Sequence, residues 1–276
     1  MWHCKEGEKM SERKYDERNK VNDLSGAEWK FATKTVISKV YPINMQHKLR
    51  SEHGGQKPPE LCADIIKMFT KENMIILDPF MGVGGTLLGA SLCNRSAIGI
   101  DLNPRWIDIY KDVCKLENLS VQETYCGDSY NVLDDIADDS IDFILTDVPY
   151  WNIDTVKHTR SKKASISKLG SFENKTENQS KEEWLELMYK IIEKSIKKLK
   201  DNKYIAIFIG DIYKEKQYHM LSADLANKLM EIPNLYLKSN IVWVDNSKSL
   251  HVFGYPFTYV PSLIHQNILI FKKEIQ

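Results

Sequence analysis

The feature that most constrains this chain is a strand that runs directly into a glycine-rich turn and a helix. Residues 76–86 read ILDPFMGVGGT, and Gly82, Gly84 and Gly85 permit positive φ angles and close approach of a ligand to the backbone. In open α/β sheets such a turn lies at the carboxyl ends of the strands, where ligands bind. The segment favours an α/β fold with a cofactor site at this turn, although dinucleotide enzymes and structural tight turns share the glycine spacing.

Apolar runs alternate with amphipathic helical stretches from residue 74 onward, which is the pattern of repeated βα units around a largely parallel sheet. The pattern predicts seven strands, at residues 74–78, 97–101, 121–126, 141–147, 204–211, 235–244 and 267–272. It predicts helices at residues 86–93, 104–117, 181–199 and 221–230. The last two strands are joined by a loop without a helical pattern, which predicts a C-terminal antiparallel hairpin.

Length and composition favour one catalytic domain. The chain has 276 residues, of which 42% are hydrophobic and 28% are charged, as in ordinary globular proteins. We expect a flexible polar tail over residues 1–21 and the catalytic domain over residues 22–276. Two insertions interrupt the βα pattern. Residues 151–180 are polar, and residues 246–265 carry aromatic side chains at alternate positions, which fits either hairpin packing or stacking on bases.

The composition also gives expectations about the cellular compartment of the protein and about its binding partners. No run of about 18 apolar residues indicates a membrane segment, and the polar N-terminus lacks the apolar core of a secretory signal. The five cysteines include no Cys-x-x-Cys pair, which favours free thiols in a reducing cytoplasm and no metal site. Because the formal net charge is zero, contact with nucleic acid requires a local basic patch, for which the candidates are Lys157, Arg160, Lys162 and Lys163.

Two acidic residues follow the second and third predicted strands. Asp101 is placed to accept hydrogen bonds from ribose hydroxyls, which is compatible with either a nicotinamide dinucleotide or S-adenosylmethionine. Asp101 also fits the N-cap of the helix that begins near Pro104. Asp128, in the sequence CGDS, is placed to reach an adenine amino group or to cap a turn. Both alternatives stay open at both positions.

The fourth predicted strand ends in TDVPYWN, an acidic residue followed by proline and two aromatics. The exocyclic amine of adenine or cytosine is a poor nucleophile because its lone pair is delocalised into the ring. Acceptors directed at both N–H bonds, here the Asp147 carboxylate and the Val148 carbonyl, localise that lone pair and stabilise the developing positive charge. The ring of Tyr150 is suited to stack on the base. The motif therefore indicates methylation of a planar amine.

Taken together, these motifs resemble those of the DNA amino-methyltransferases, which modify N6 of adenine or N4 of cytosine. Cofactor motifs precede the catalytic motif, as in the gamma-type arrangement of that family. The resemblance implies a class I SAM-methyltransferase fold, a mostly parallel seven-stranded sheet with helices on both faces and a C-terminal antiparallel hairpin. It implies S-adenosyl-L-methionine as cofactor, double-stranded DNA as partner, and a restriction endonuclease as a further associated protein.

The match carries the family's site residues onto this sequence. The segment HGGQKPPEL, residues 53–61, resembles the one that closes over the methionine moiety of the cofactor. The implied cofactor-binding residues are Gln56, Lys57, Asp78, Pro79, Phe80, Gly82, Gly84, Thr86, Asp101, Asn103 and Asp128. The implied catalytic residues are Asp147, Val148, Pro149 and Tyr150. Val148 replaces a proline of the family motif, but valine has the same backbone carbonyl, and Pro149 biases it toward an extended conformation.

The sequence thus favours methylation of adenine N6 in DNA, because an acidic residue at the position of Asp147 is commoner in the adenine-directed members. A base inside a duplex cannot reach such a pocket, so the target base is expected to be flipped out. Cytosine N4 is the first alternative. The others are an RNA or protein amide methyltransferase, an inactive DNA-binding relative, and a redox enzyme on a dinucleotide fold.

Overall fold

An eight-stranded sheet organises the residues that the computed structural model describes, 16–151 and 179–275. Its strands are β1 (Val36–Ile37), β2 (Ile75–Asp78), β3 (Ser96–Asp101), β4 (Glu123–Cys126), β5 (Ile141–Asp147), β6 (Leu199–Ile209), β9 (Leu235–Val244) and β10 (His265–Lys273). A separate two-stranded hairpin consists of β7 (Ile212–Lys214) and β8 (Gln217–His219).

The strand order is β1-β9-β10-β6-β5-β2-β3-β4. Strands β2 to β6 run parallel to one another, and β10 runs antiparallel to both β6 and β9. The predicted mostly parallel sheet with a C-terminal antiparallel hairpin is therefore confirmed. Strand β1 adds an eighth strand at the edge, parallel to β9. Its two residues are too few to give a periodic signal in the sequence.

Helices cover both faces of the sheet, as predicted. The α-helices are α1 (Gly26–Ala32), α2 (His47–Arg50), α3 (Pro59–Phe69), α4 (Gly85–Leu92), α5 (Pro104–Leu116), α6 (Ser129–Val132), α7 (Lys181–Lys198) and α8 (Leu221–Leu229). Buried side chains of α3, α4 and α5 form one hydrophobic core, and those of α7 and α8 form a second core on the other face.

The central position of β5 explains its composition. It lies between β6 and β2, and its residues 141–146 are all buried. A parallel strand covered on both faces is a nearly continuous apolar run, which is what the sequence shows. Only at Asp147, its last residue, does the strand reach the partly exposed edge of the sheet. The carboxylate of Asp147 is therefore held at the end of a buried strand.

Close packing between α3 and α4 fixes the segment that precedes α3. A Cβ at Gly89 would lie 2.7 Å from the Cβ of Cys62 and 2.8 Å from the carbonyl oxygen of Pro59, so the two helices touch through backbone. The N-terminus of α3 is thereby held against α4, which begins at the glycine-rich turn. This contact brings residues 53–58 onto the turn.

Three further expectations concern the N-terminal tail, membrane-spanning helices and metal sites. The first fifteen residues of the expected tail lie outside the described residues. Within residues 16–151 and 179–275, no helix is both long and apolar enough to cross a membrane. In the same residues, no group of three or more His, Cys, Asp and Glu side chains is arranged to hold a metal ion.

The α3–α4 contact predicts a stability difference between two glycine substitutions. Gly89→Ala should lower the free energy of unfolding by about 1–3 kcal/mol, because the added methyl group overlaps backbone atoms. The matched control is Gly26→Ala in α1, where no atom lies within 4 Å of an added Cβ and no stability is lost. Thermal and denaturant unfolding of the purified variants measure both values. Equal stability of the two variants would contradict this packing.

Candidate active site

Three acidic residues end neighbouring parallel strands at one edge of the sheet. Asp78 ends β2, Asp101 ends β3 and Asp147 ends β5, and these strands lie side by side in the order β5-β2-β3. Parallel strands bring their carboxyl ends to the same edge, where ligands bind in open α/β sheets. The cofactor turn and the catalytic motif inferred from the sequence therefore meet at this edge, which is the candidate active site.

The glycine-rich turn between β2 and α4 has a backbone that favours glycine. Gly84 has a φ of 76°, and a Cβ there would lie 2.3 Å from the ring of Tyr110 on α5. Gly82 has a φ of 49°, and a Cβ there would lie 3.0 Å from Nε2 of His53. Neighbouring side chains thus pack directly against the backbone of this buried turn, which only glycine permits at these two positions.

Asp101 holds this turn through its carboxylate. The backbone N–H of Gly82 donates to Oδ2 at 2.9 Å, and that of Asn103 donates to Oδ1 at 2.8 Å. Burial raises the pKa of Asp101 to about 6, and these two donors oppose the shift. The N-cap of α5 is Asn103, whose side chain accepts from the Arg105 N–H at 3.0 Å. The alternative in which Asp101 caps this helix is therefore wrong.

The side chains of Asp78 and Thr86 form hydrogen bonds with other residues of the protein. Oδ1 of Asp78 accepts from the Thr146 hydroxyl at 2.6 Å and from the Phe80 N–H at 3.0 Å. Burial raises the pKa of Asp78 to about 6, against the effect of these hydrogen bonds. The Thr86 hydroxyl donates to the Leu145 carbonyl at 3.4 Å. Both residues tie the turn to β5, which is a supporting role that the sequence motif did not specify.

The residues that directly follow Asp78 and the residue that precedes α6 make different contacts. The carbonyl of Pro79 accepts from the Ser129 hydroxyl at 2.5 Å, and the half-buried ring of Phe80 packs on the second core. Asp128 is exposed, and its Oδ1 accepts from the Tyr130 N–H at 2.9 Å as the N-cap of α6. The capping alternative for Asp128 is thus correct, while its contact with adenine stays a prediction.

Two residues that were not predicted from the sequence lie beside the turn. The rings of His53 and Trp106 meet edge to face with centroids 5.0 Å apart. Burial lowers the pKa of His53 to about 4, so the ring is neutral near pH 7. His53 was detectable, because it opens the segment HGGQKPPEL. Trp106 was not, because its place on the buried face of α5 has the pattern of an ordinary core residue.

The polar atoms around the turn fit the cofactor that the resemblance implies. Nδ1 of His53, Oε1 of Gln56 and Nε1 of Trp106 are buried, and none has a hydrogen-bond partner among the described residues. Buried polar atoms are normally satisfied, so three unsatisfied ones in the segments that surround the glycine-rich turn indicate a polar ligand. The hydroxyl, amino and carboxylate groups of S-adenosylmethionine supply such partners.

At the catalytic end, Asp147 has one paired and one unpaired carboxylate oxygen. The ammonium of Lys57 donates to Oδ2. Oδ1 is buried and has no hydrogen-bond partner among the described residues. Burial raises the pKa of Asp147 above its ordinary value, and the charges of Lys57 and Lys248 oppose that shift. The site thus contains an acceptor atom for which the described part of the chain provides no donor.

Contacts from two other elements fix the rest of the catalytic motif. The indole N–H of Trp184 on α7 donates to the Pro149 carbonyl at 2.8 Å, and the side-chain amide of Gln266 on β10 donates to the Tyr150 hydroxyl at 2.7 Å. The ring of Tyr150 stays partly exposed at the edge. The side chain of Val148 is buried in the second core, so this position contributes packing as well as a backbone carbonyl.

Both insertions begin at this edge of the sheet. Lys157, Arg160, Lys162 and Lys163 lie outside the described residues. The residues that flank them are joined, because the indole N–H of Trp151 donates to the Gln179 carbonyl at 2.8 Å. In the other insertion, the exposed fractions are 79% for Tyr255, 92% for Phe257 and 85% for Tyr259. The hairpin-packing alternative is wrong for these three rings.

Comparison with known proteins identifies the family to which this chain is similar. The model of the N6/N4 methyltransferase family, described as DNA methylase, matches residues 3–112 and 141–274. The type II methyltransferase M.HpaI of Haemophilus parainfluenzae is 36% identical over 96 residues, which are 33% of this chain and 28% of that protein. M.HindIII of Haemophilus influenzae is 39% identical over 66 residues, 24% of this chain and 21% of that protein. The matched segments thus span less than a third of these relatives.

An RNA-modifying enzyme and a solved structure are also similar. The tRNA (guanine(10)-N2)-dimethyltransferase of Pyrococcus abyssi is 30% identical over 105 residues, 37% of this chain and 31% of that protein. The crystal structure of TrmN from Thermus thermophilus superposes with a TM-score of 0.55 at 15% identity, over 84% of this chain and 53% of that one. At this identity the structural likeness shows the fold alone, which is the class I methyltransferase fold.

The geometry of the turn predicts the effect of removing the Asp101 carboxylate. Asp101→Ala should weaken binding of S-adenosylmethionine by about 1.5–3 kcal/mol, because a charge-assisted acceptor at the turn is lost. Asp108→Ala, on the exposed face of the adjoining helix α5, is the matched control and should bind normally. Calorimetric titration measures both affinities. Unchanged affinity in Asp101→Ala would remove this residue from the cofactor site.

Proposed function

This chain belongs to the N6/N4 DNA methylase family, and from that premise we propose that it methylates the exocyclic amino group of a flipped-out DNA base, with adenine N6 favoured. The observation that supports the proposal most directly is the buried, unpartnered Oδ1 of Asp147 at the carboxyl edge. S-adenosylmethionine, the cofactor of this family, supplies the methyl group as an electrophile on its sulfonium sulfur.

The residues at the edge account for activation of the amine. The free oxygen of an ionised Asp147 accepts a hydrogen bond from one N–H group of the target amine. The carbonyl oxygen of Val148 accepts a hydrogen bond from the other N–H group. Two acceptors in a water-poor site localise the amine lone pair and stabilise the positive charge that develops on nitrogen. Burial favours a protonated Asp147, and the positive charges of Lys57 and Lys248 oppose that rise of its pKa.

A planar base fits beside these acceptors. The partly exposed ring of Tyr150 is held by Gln266 at a fixed orientation next to Asp147. A base that stacks on this ring has its amino edge toward the two acceptors. Since the acceptor atom Oδ1 of Asp147 is buried, a base paired within a duplex has to leave its stack to reach it.

The acidic residue at position 147 supports adenine N6 over cytosine N4, as in adenine-directed members of the family. RNA is a second candidate substrate, favoured by the similarity to the Pyrococcus abyssi enzyme, whose name specifies a guanine amine in tRNA. The same pair of acceptors serves all three amines. Transfer of labelled methyl groups to equal concentrations of duplex DNA and unmodified tRNA separates the two classes of substrate.

The two insertions supply the DNA contacts in this proposal. We assign phosphate contacts on either side of the flipped base to Lys157, Arg160, Lys162 and Lys163, because Trp151, the last described residue before this basic segment, directly follows the catalytic motif and contacts Gln179, the first described residue after it. The exposed rings of Tyr255, Phe257 and Tyr259 are suited to stack on bases, because such stacking tolerates any sequence. Neither role requires a basic protein overall.

The proposed role of Asp147 predicts that its substitution affects catalysis far more than cofactor binding. Asp147→Ala should abolish methyl transfer to DNA and leave the affinity for S-adenosylmethionine within about tenfold, since the residue acts on the amine. The matched control is Asp142→Asn, which disturbs another Asp–Lys contact on the same strand, with Lys200 at 2.9 Å. The control should retain turnover. Transfer of tritiated methyl groups measures activity, and residual turnover near that of the wild type would exclude Asp147 from the mechanism.

The basic insertion predicts a loss of affinity that does not depend on sequence. Replacing Lys162 and Lys163 together with glutamine should weaken binding to all duplexes and reduce the slope of log K against log salt by up to about two units. Lys111 and Lys115, both exposed on α5, provide a control of equal charge change. Fluorescence anisotropy over a salt series measures the slope, and identical slopes for the two double variants would contradict the assignment.

A further inference from the structure

One side chain touches both halves of the site. A Cβ at Gly85, the first residue of α4, would lie 3.4 Å from the Cβ of Lys57 and 3.1 Å from its carbonyl oxygen. The stem of Lys57 therefore lies on the cofactor turn. Its ammonium, at the other end, donates to Oδ2 of Asp147. Lys57 spans the distance from the cofactor turn to the catalytic acceptor.

The backbone of Lys57 is fixed, whereas its head group has several partners. The buried guanidinium of Arg50 donates to the Lys57 carbonyl at 3.0 Å and to the Met45 carbonyl at 2.7 Å. The Lys57 ammonium lies 3.4 Å from the Gly55 carbonyl and 5.3 Å from the centroid of the Phe208 ring. A change of position at Lys57 consequently involves the side chain alone.

In this arrangement, Lys57 holds Oδ2 of the carboxylate whose other oxygen, Oδ1, accepts the target amine in the proposed mechanism. The Lys57 ammonium and a target amine are both N–H donors to the same carboxylate. A buried ammonium that loses its anionic partner without a replacement is strongly disfavoured. Lys57 can therefore leave Asp147 only when another anion becomes available, and the cofactor brings a carboxylate to the turn on which the stem of Lys57 lies.

We propose that Lys57 is a positioning residue that pairs with Asp147 until the cofactor binds and then pairs with the cofactor's carboxylate, which leaves Asp147 a stronger acceptor for the target amine once the cofactor is bound. Asp147 is not left uncompensated by this exchange, because the charge of Lys248 also acts on it. The inference rests on the proposed function for the identity of the amine. The exchange between Lys57 and Asp147 depends on cofactor binding alone.

A double-mutant cycle on cofactor affinity tests the exchange without DNA. The probe is S-adenosylhomocysteine, which has the same carboxylate and cannot react, and the proteins are the wild type, Asp147→Asn, Lys57→Met and the double variant. Asp147→Asn should tighten binding about fivefold or more, within the usual range of coupling between sites, because Lys57 is released in advance. Lys57→Met should weaken binding. In the Lys57→Met background, Asp147→Asn should have no effect.

The outcomes separate this inference from the proposed function. An unchanged or weakened affinity in Asp147→Asn would overturn the exchange, as would tightening that persists without Lys57, since that result reflects only the removed charge. Asp142→Asn is again the matched control and should leave the affinity unchanged. Failure of the wild type to bind S-adenosylhomocysteine would overturn both the exchange and the proposed function.

A spectroscopic measurement keeps the test decisive if Lys57→Met does not fold. The ¹⁵N resonance of the Lys57 ammonium in the wild type should shift when S-adenosylhomocysteine is added to saturation. In Asp147→Asn, the resonance of the cofactor-free protein should already differ from that of the wild type. A Lys57 resonance that saturating S-adenosylhomocysteine does not move would overturn the proposal.

Discussion

The ion pair between Lys57 and Asp147 is the contact that links the two halves of the site. A carboxylate at the end of a buried strand is desolvated, and burial raises the pKa of Asp147, a shift that nearby positive charge opposes. Lys57 supplies that charge from the segment that also covers the glycine-rich turn. In the proposed mechanism, the ability of Asp147 to accept a hydrogen bond from an amine therefore depends on the placement of residues that contact the cofactor turn.

That placement is a consequence of helix packing. Backbone contact between α3 and α4 at Gly89 fixes the start of α3, and Arg50 holds the carbonyl of Lys57 just before it. The order of the strands completes the site. Because β5, β2 and β3 are neighbours, their last residues, Asp147, Asp78 and Asp101, lie at one edge of the sheet. A change in the α3–α4 contact is thus expected to affect both stability and catalysis.

The sequence predicted the features that local patterns encode, and it missed those that depend on packing between distant segments. The strand ends at Asp78, Asp101 and Asp147 follow from apolar runs, and all seven predicted strands are present. The pairing of Lys57 with Asp147 joins positions 90 residues apart, and no periodic pattern specifies it. The internal hydrogen bonds of Asp78 and Thr86 likewise depend on where β2 and α4 meet β5.

Identification of the methylated nucleoside tests the central claim most directly. Duplex DNA is incubated with the purified protein and S-adenosylmethionine that carries a deuterated methyl group, then digested to nucleosides and analysed by mass spectrometry. Activation of an exocyclic amine at Asp147 predicts the deuterated label in N6-methyl-2′-deoxyadenosine. Label in N4-methyl-2′-deoxycytidine would contradict the preference for adenine. Label on a ring carbon such as C5 of cytosine, or in no nucleoside of the DNA, would contradict amine methylation of DNA by this site.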